Sequence, residues 1–215
     1  MPLAFVTNSA ERTPAQVAAK LDSHGVPDAE SLVITAAMAA AAMIDPADRV
    51  FVVGSDGLRE AVAARGATIV GSGSADVAVV GITLAFDYDM LTAAMRTIRA
   101  GARFIATNDD ATFPDADGLL PGNGALVAAV ATAAGVEPEI AGKPHEAIAE
   151  LVRERIGDQG VMVGDRPETD GRFAESLGYE FALVLTGVVG ETDLPVTPTP
   201  RFVAHDIAGL VDQLL

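Results

Sequence analysis

Three short stretches carry polar residues directly off apolar runs, the arrangement that delivers side chains to a site. In "VMVGDRPETDG", residues 161–171, Asp165 follows an apolar strand and Asp170 comes five positions later at a helix start. Two carboxylates there suit a hard cation such as Mg²⁺, which takes oxygen ligands and keeps several waters. The competing reading is one aspartate capping a helix and one solvated. In "AGKPHEAIAE", residues 141–150, Lys143 stands before a helix whose dipole already favours an anion, unless the lysine simply faces solvent. His145 beside it reads as an exposed first-turn residue. In "FVTN", residues 5–8, Thr7 and Asn8 offer a hydroxyl and free N–H groups to a phosphate oxygen, or else ordinary turn chemistry leading to a cap at Thr13.

These residues need a scaffold that presents strand ends, and the chain is patterned for one. Apolar runs predict strands over 3–6, 50–53, 68–70, 77–80, 104–106, 161–163 and 181–185. Helical spacing predicts helices over 14–23, 56–64, 88–100, 124–134, 144–156, 168–177 and 206–214. The alternation predicts an α/β fold with a parallel sheet, its strands covered on both faces. The alanine-rich run from Ala36 suits a closely packed buried helix. "FVVGSDGLREAV" looks like a strand, a glycine turn and a helix, but lacks the spacing of a dinucleotide fingerprint.

Composition narrows the function classes. With a net charge of −16 the chain is a poor partner for nucleic acid, which needs clustered Lys and Arg. It has no cysteine, which excludes disulfides and thiolate metal sites and fits a cytoplasmic location. The start lacks a basic region followed by an apolar core, and the longest apolar stretch is too short to span a bilayer. A surface connection is expected over 193–200.

Taken in order, the three stretches resemble the haloacid dehalogenase-like hydrolase superfamily, in particular its C2-capped phosphatase branch. "FVTNSAERTP" is similar to that branch's second motif, "GKPH" to the third and "VMVGDRPETDG" to the fourth. "GARFIATNDDATFP" and "LLPGNGALVAAV" are similar to its cap signatures. The resemblance implies a Rossmann-like parallel-sheet core, residues 1–46 and 141–215, with an inserted α/β C2-type cap over 47–140. It implies Mg²⁺ as cofactor and a small phosphorylated metabolite as substrate. Thr7 and Asn8 would contact the phosphoryl group, and Lys143 would neutralise it and orient the nucleophile. Asp165 would bind the metal, with Asp170 supporting that shell. Asn108 and Asp109, after a cap strand, would face the substrate cleft or form a plain turn. A homodimer through the cap is a further implication.

The family's first motif is a strand followed by D-x-D-G, whose first aspartate attacks phosphorus. The resemblance places it upstream of Leu3. Asp22, Asp28 and Asp45 stand in helix or loop context and do not replace it. Losing a central strand with three or four buried side chains would cost about 6–8 kcal/mol, comparable to a domain's whole stability. The expectation is therefore a late-assigned start or a fragment, without turnover by these 215 residues alone. The alternative is a non-catalytic phosphate-binding or interaction protein, which gains if the upstream DNA encodes no in-frame D-x-D-G.

Overall fold

The computed structural model describes residues 2–115 and 117–214. They form two units, one of Ala4–Gly142 and one of residues 143–214 with Pro2 and Leu3.

In the first unit, β1 (Phe5–Thr7) leads to α1 (Pro14–Asp22), then β2 (Val33–Thr35) and α2 (Ala36–Ala42). The first strand starts at Phe5 rather than at Leu3, which is half exposed. It pairs in parallel with β2, Thr7 opposite Thr35. The start of α1 is closed by a capping box: Thr13 Oγ1 accepts from Gln16 N–H, and Gln16 Oε1 accepts from Thr13 N–H. Pro14 fits at the first helical position because its missing N–H would have no intrahelical partner. In α2, five alanines are buried, the small side chains that a closely packed helix needs.

Residues 49–140 build a five-stranded parallel sheet. Its elements are β3 (Arg49–Val53), α3 (Asp56–Ala64), β4 (Thr68–Val70), β5 (Val77–Val80), α4 (Tyr88–Arg99), β6 (Arg103–Ala106), β7 (Thr112–Asp115), β8 (Gly118–Pro121), α5 (Asn123–Ala134) and β9 (Glu139–Ile140). The order β4-β3-β5-β6-β9 reverses direction between β3 and β5. On one face, Ala78, Val80, Phe104 and Ala106 pack with Ala94 and Ile98 of α4 and Val127 and Val130 of α5. Strands β7 and β8 form an antiparallel ribbon outside this sheet, Phe113 opposite Leu120. Pro114 and Pro121 cannot donate to a ladder, which suits a two-stranded ribbon.

The second unit contains α6 (Glu146–Ile156), β10 (Val161–Gly164), a π-helical turn (Pro167–Gly171), α7 (Arg172–Leu177), β11 (Glu180–Val184), β12 (Phe202–Ala204) and α8 (Ile207–Leu214). The parallel order is β10-β11-β12, with β11 buried between its neighbours. The expectation that strands are covered on both faces fails at β10. Among the described residues it pairs with β11 alone, and Val161 and Val163 are 36% and 37% exposed. Asp206 Oδ1 accepts from Gly209 N–H at the start of α8, and this bond holds its carboxyl below the usual range.

The short strands β2, β9 and β12 and the β7–β8 ribbon lie outside the expected strands. The helix expected from 168 is instead a π turn followed by α7, and the one expected from Pro144 begins at Glu146.

Candidate functional site

The second unit brings Lys143 and Asp170 together. Lys143 Nζ donates to Asp170 Oδ1 at 2.6 Å, and the side chains are 11% and 8% exposed. Asp170 lies in the π turn after β10, where Oδ2 accepts the Arg166 N–H at 3.2 Å. Both of its oxygens are therefore engaged. The role of Gly164 is spatial: a Cβ there would overlap the carboxylate of Asp170. Lys143 precedes α6, which has His145 as its N-cap residue. The alternative of a solvent-facing lysine does not fit its burial. Removing a lysine and an aspartate from water costs several kcal/mol per ion, so neither is held there cheaply.

Asp165 leaves the end of β10 half-buried. Its Oδ2 accepts the Val188 N–H at 2.9 Å, in the turn after β11. The other carboxylate oxygen has no such bond to the turn and could meet a cation. Among the described residues, no three His, Asp or Glu side chains gather at one point. The donor set thus fits a hard, largely hydrated ion held by one carboxylate, not a closed protein cage.

The first unit places Thr7 and Asn8 at the carboxyl end of β1. Thr7 Oγ1 accepts the Ser9 N–H at 3.1 Å, turn chemistry that leaves the hydroxyl proton available to a ligand. Asn8 Nδ2 donates to Asp110 Oδ2 at 3.0 Å, and Asn8 O accepts from Asn108 Nδ2 at 2.8 Å. Asn108 is 5% exposed, and its Oδ1 accepts the Asp110 N–H at 3.1 Å. Its side chain is thus spent on internal bonds, and the neighbouring Asp109 is exposed. Asn123, at the start of α5, completes the knot: Nδ2 donates to Asn108 O at 2.8 Å and Thr107 Oγ1 at 3.2 Å. Its Oδ1 is buried without a hydrogen-bond partner. Gly142 closes the group, since a Cβ there would lie 2.6 Å from Thr107 O and 2.7 Å from Asn8 Oδ1.

Asp110 and Asn123 were missed in the sequence. The only signals were Asp110 beside two chosen residues and Asn123 between glycines at a helix start. A further pattern is Asp115-Ala116-Asp117-Gly118, which matches D-x-D-G by letters. Asp115 ends β7 and Gly118 begins β8, with both aspartates exposed, so these carboxylates do not follow a buried parallel strand.

Glu11, Arg12, Gln16, Ser55, Asp56 and Thr83 line a polar cleft of about 670 Å³. It lies where the strand order reverses, between the ends of β3 and β5, the usual ligand crevice of such sheets. The glycine turn of "FVVGSDGLREAV" forms one wall. Gly57 is glycine because the 10–12 loop crosses it: Gly57 N–H donates to Glu11 O at 3.0 Å, and a Cβ would lie 2.5 Å from Arg12 O.

The family model "Haloacid dehalogenase-like hydrolase" matches residues 1–68, and a second model of HAD-like hydrolases matches residues 140–210. The 5'-nucleotidase YutF of Bacillus subtilis is 40% identical over 194 residues, covering 87% of this chain and 75% of that protein. The D-glycerol 3-phosphate phosphatase of Mycobacterium tuberculosis is 38% identical over 217 residues, but this chain spans 61% of its length. Among solved structures, a p-nitrophenyl phosphatase from Archaeoglobus fulgidus superposes with a TM-score of 0.92 at 31% identity, covering 98% of this chain and 85% of that one. The mycobacterial glycerol phosphate phosphatase in complex with magnesium gives 0.89 at 38%, covering 97% and 67%. With this identity and coverage, the chain belongs to the haloacid dehalogenase-like hydrolases, in their C2-capped class IIA branch.

Proposed function

We propose that this chain binds the phosphoryl group of a small phosphorylated metabolite together with Mg²⁺, as part of a phosphomonoester hydrolase. The observation that carries the reading is the buried Lys143–Asp170 pair on the unit that also presents Asp165 at the end of β10. The names of the relatives support the substrate class: one acts on D-glycerol 3-phosphate, and others are acid sugar phosphatases.

In this reading Thr7 donates its hydroxyl proton to a phosphoryl oxygen and Asn8 lies beside it. Lys143 neutralises the phosphate while Asp170 holds its ammonium. Asp165 gives one carboxylate oxygen to Mg²⁺, and Asp170 supports that shell through Lys143. Bound Mg²⁺ supplies positive charge to the phosphoryl oxygens. Such transfer depends on neutralisation and positioning, so an acidic protein can perform it when its positive charges are local. Residues 1–46 and 141–215 act as the catalytic core and 47–140 as the cap, with Asp109 at the substrate cleft and Asn108 fixing its turn. The cap also carries the contact of a homodimer, a reading supported by the exposed Leu84 and Tyr88.

No residue of this chain is assigned the attack on phosphorus. The test is to mix the 215-residue chain with Mg²⁺ and p-nitrophenyl phosphate. Binding of inorganic phosphate without metal-dependent release of p-nitrophenolate is expected. Metal-dependent release overturns the expectation of binding without turnover, and absence of phosphate binding overturns the whole reading.

A further inference from the structure

The turn after β11 is absorbed by none of the motifs, yet it touches the end of β10. Val188 N–H donates to Asp165 Oδ2 at 2.9 Å. At the preceding position, a Cβ on Gly187 would overlap both the carboxylate and the Cβ of Asp165. The Asp165 Cβ is fixed by its backbone, so a rotamer change alone cannot relieve that overlap. The next residue, Val189, is 8% exposed and packs in the cluster of Ala174, Phe181 and Leu183. The turn is thus anchored in the core on one side and against Asp165 on the other.

We propose that Thr186-Gly187-Val188 is a positioning seat for the cation-binding carboxylate. The N–H of Val188 takes one oxygen of Asp165 and directs the other toward the cation, and the missing side chain of Gly187 lets the carboxylate sit that close. Partners that fix one oxygen of a ligating carboxylate set its orientation, and their loss typically weakens metal affinity about 10–100-fold. Gly187 and Val188 act through Asp165 and are positioning residues.

This inference rests on the reading of Asp165 as a cation ligand, and the experiment separates the two. Calorimetric titration with Mg²⁺ is run on the wild-type chain, Gly187→Ala and Gly190→Ala. A Cβ on Gly190 would meet only Asp193, at 3.7 Å, so it serves as the control. Inorganic phosphate is titrated into the same proteins without metal. At Gly187→Ala, Mg²⁺ affinity is expected to fall by about tenfold or more while phosphate affinity stays, and Gly190→Ala is expected to change neither. A merely structural effect would move phosphate binding as well, and that result overturns the seat. Equal Mg²⁺ affinity in wild type and Gly187→Ala also overturns it. Absence of Mg²⁺ binding in the wild type overturns the cation reading itself, and the cation role of the seat with it. A crystal structure of Gly187→Ala tests the placement directly: Asp165 should leave the Val188 N–H, and an unmoved Asp165 contradicts the seat.

Discussion

Lys143 Nζ lies 2.6 Å from Asp170 Oδ1, the two residues 27 positions apart and both almost wholly buried. This pair links the start of α6 to the turn after β10. It also defines what each residue can do. The carboxylate is oriented by the lysine and by the Arg166 N–H.

Asp170→Ala removes the carboxylate that compensates a buried ammonium. Breaking such a pair on one side typically costs about 3–5 kcal/mol. Urea denaturation should show a loss of that order for Asp170→Ala and a smaller one for Asp170→Asn, which keeps an oxygen facing Lys143. Equal stability of wild type and Asp170→Ala would contradict the pairing.

Gly57→Ala tests the crossing of the 10–12 loop over α3. Helix propensity alone favours alanine by about 1 kcal/mol. The added methyl, however, would meet backbone atoms of Arg12 and Ala10, which cannot rotate away. Overpacking of this kind costs about 1–3 kcal/mol, so the net change should be destabilising. Gly71→Ala, with open space around its Cβ position, should leave the melting temperature nearly unchanged.

Much of the scaffold was legible in the sequence for simple physical reasons. Thr13 before Pro14 announced a capped helix, and the capping box is present. The alanine run announced a buried helix, and Asp165 directly after an apolar run announced a strand-end carboxylate. What was not legible depends on partners distant in the chain. Asn8 meets Asp110 across 102 positions, and no local pattern encodes that meeting. The glycines at 164, 142 and 187 are each defined by what a Cβ would strike, which no local pattern shows. The two- and three-residue strands β2, β9 and β12 were not legible, because alternation needs more length.

Asn123→Ala should destabilise the first unit. It removes donors from the buried Asn108 carbonyl and from Thr107 Oγ1. Leaving a buried acceptor unsatisfied costs about 1–3 kcal/mol. Thermal denaturation should show the loss, and amide exchange should quicken at Asp110, whose N–H is bonded to Asn108 Oδ1.

Acid should weaken the start of α8. The Asp206 carboxyl is held below its ordinary range, first by the Gly209 N–H. A depressed carboxylate contributes stability above its unfolded pKa, and that contribution is lost as pH falls through the folded value. Asp206→Asn should therefore flatten the acid limb of the stability profile below about pH 4, the ordinary range of an aspartate. An unchanged acid limb would contradict the cap.

The most direct test of the central claim is calorimetric titration of inorganic phosphate, with Mg²⁺ present, into the wild-type chain and the Lys143→Met, Asp165→Asn and Thr7→Val variants. The account predicts Mg²⁺-enhanced binding by the wild type. Lys143→Met should abolish binding, and Asp165→Asn should abolish the enhancement by Mg²⁺. Thr7→Val should weaken binding by about tenfold, the usual scale of one hydrogen bond to a charged group. Wild-type binding that is absent, or unchanged in Lys143→Met, would contradict it.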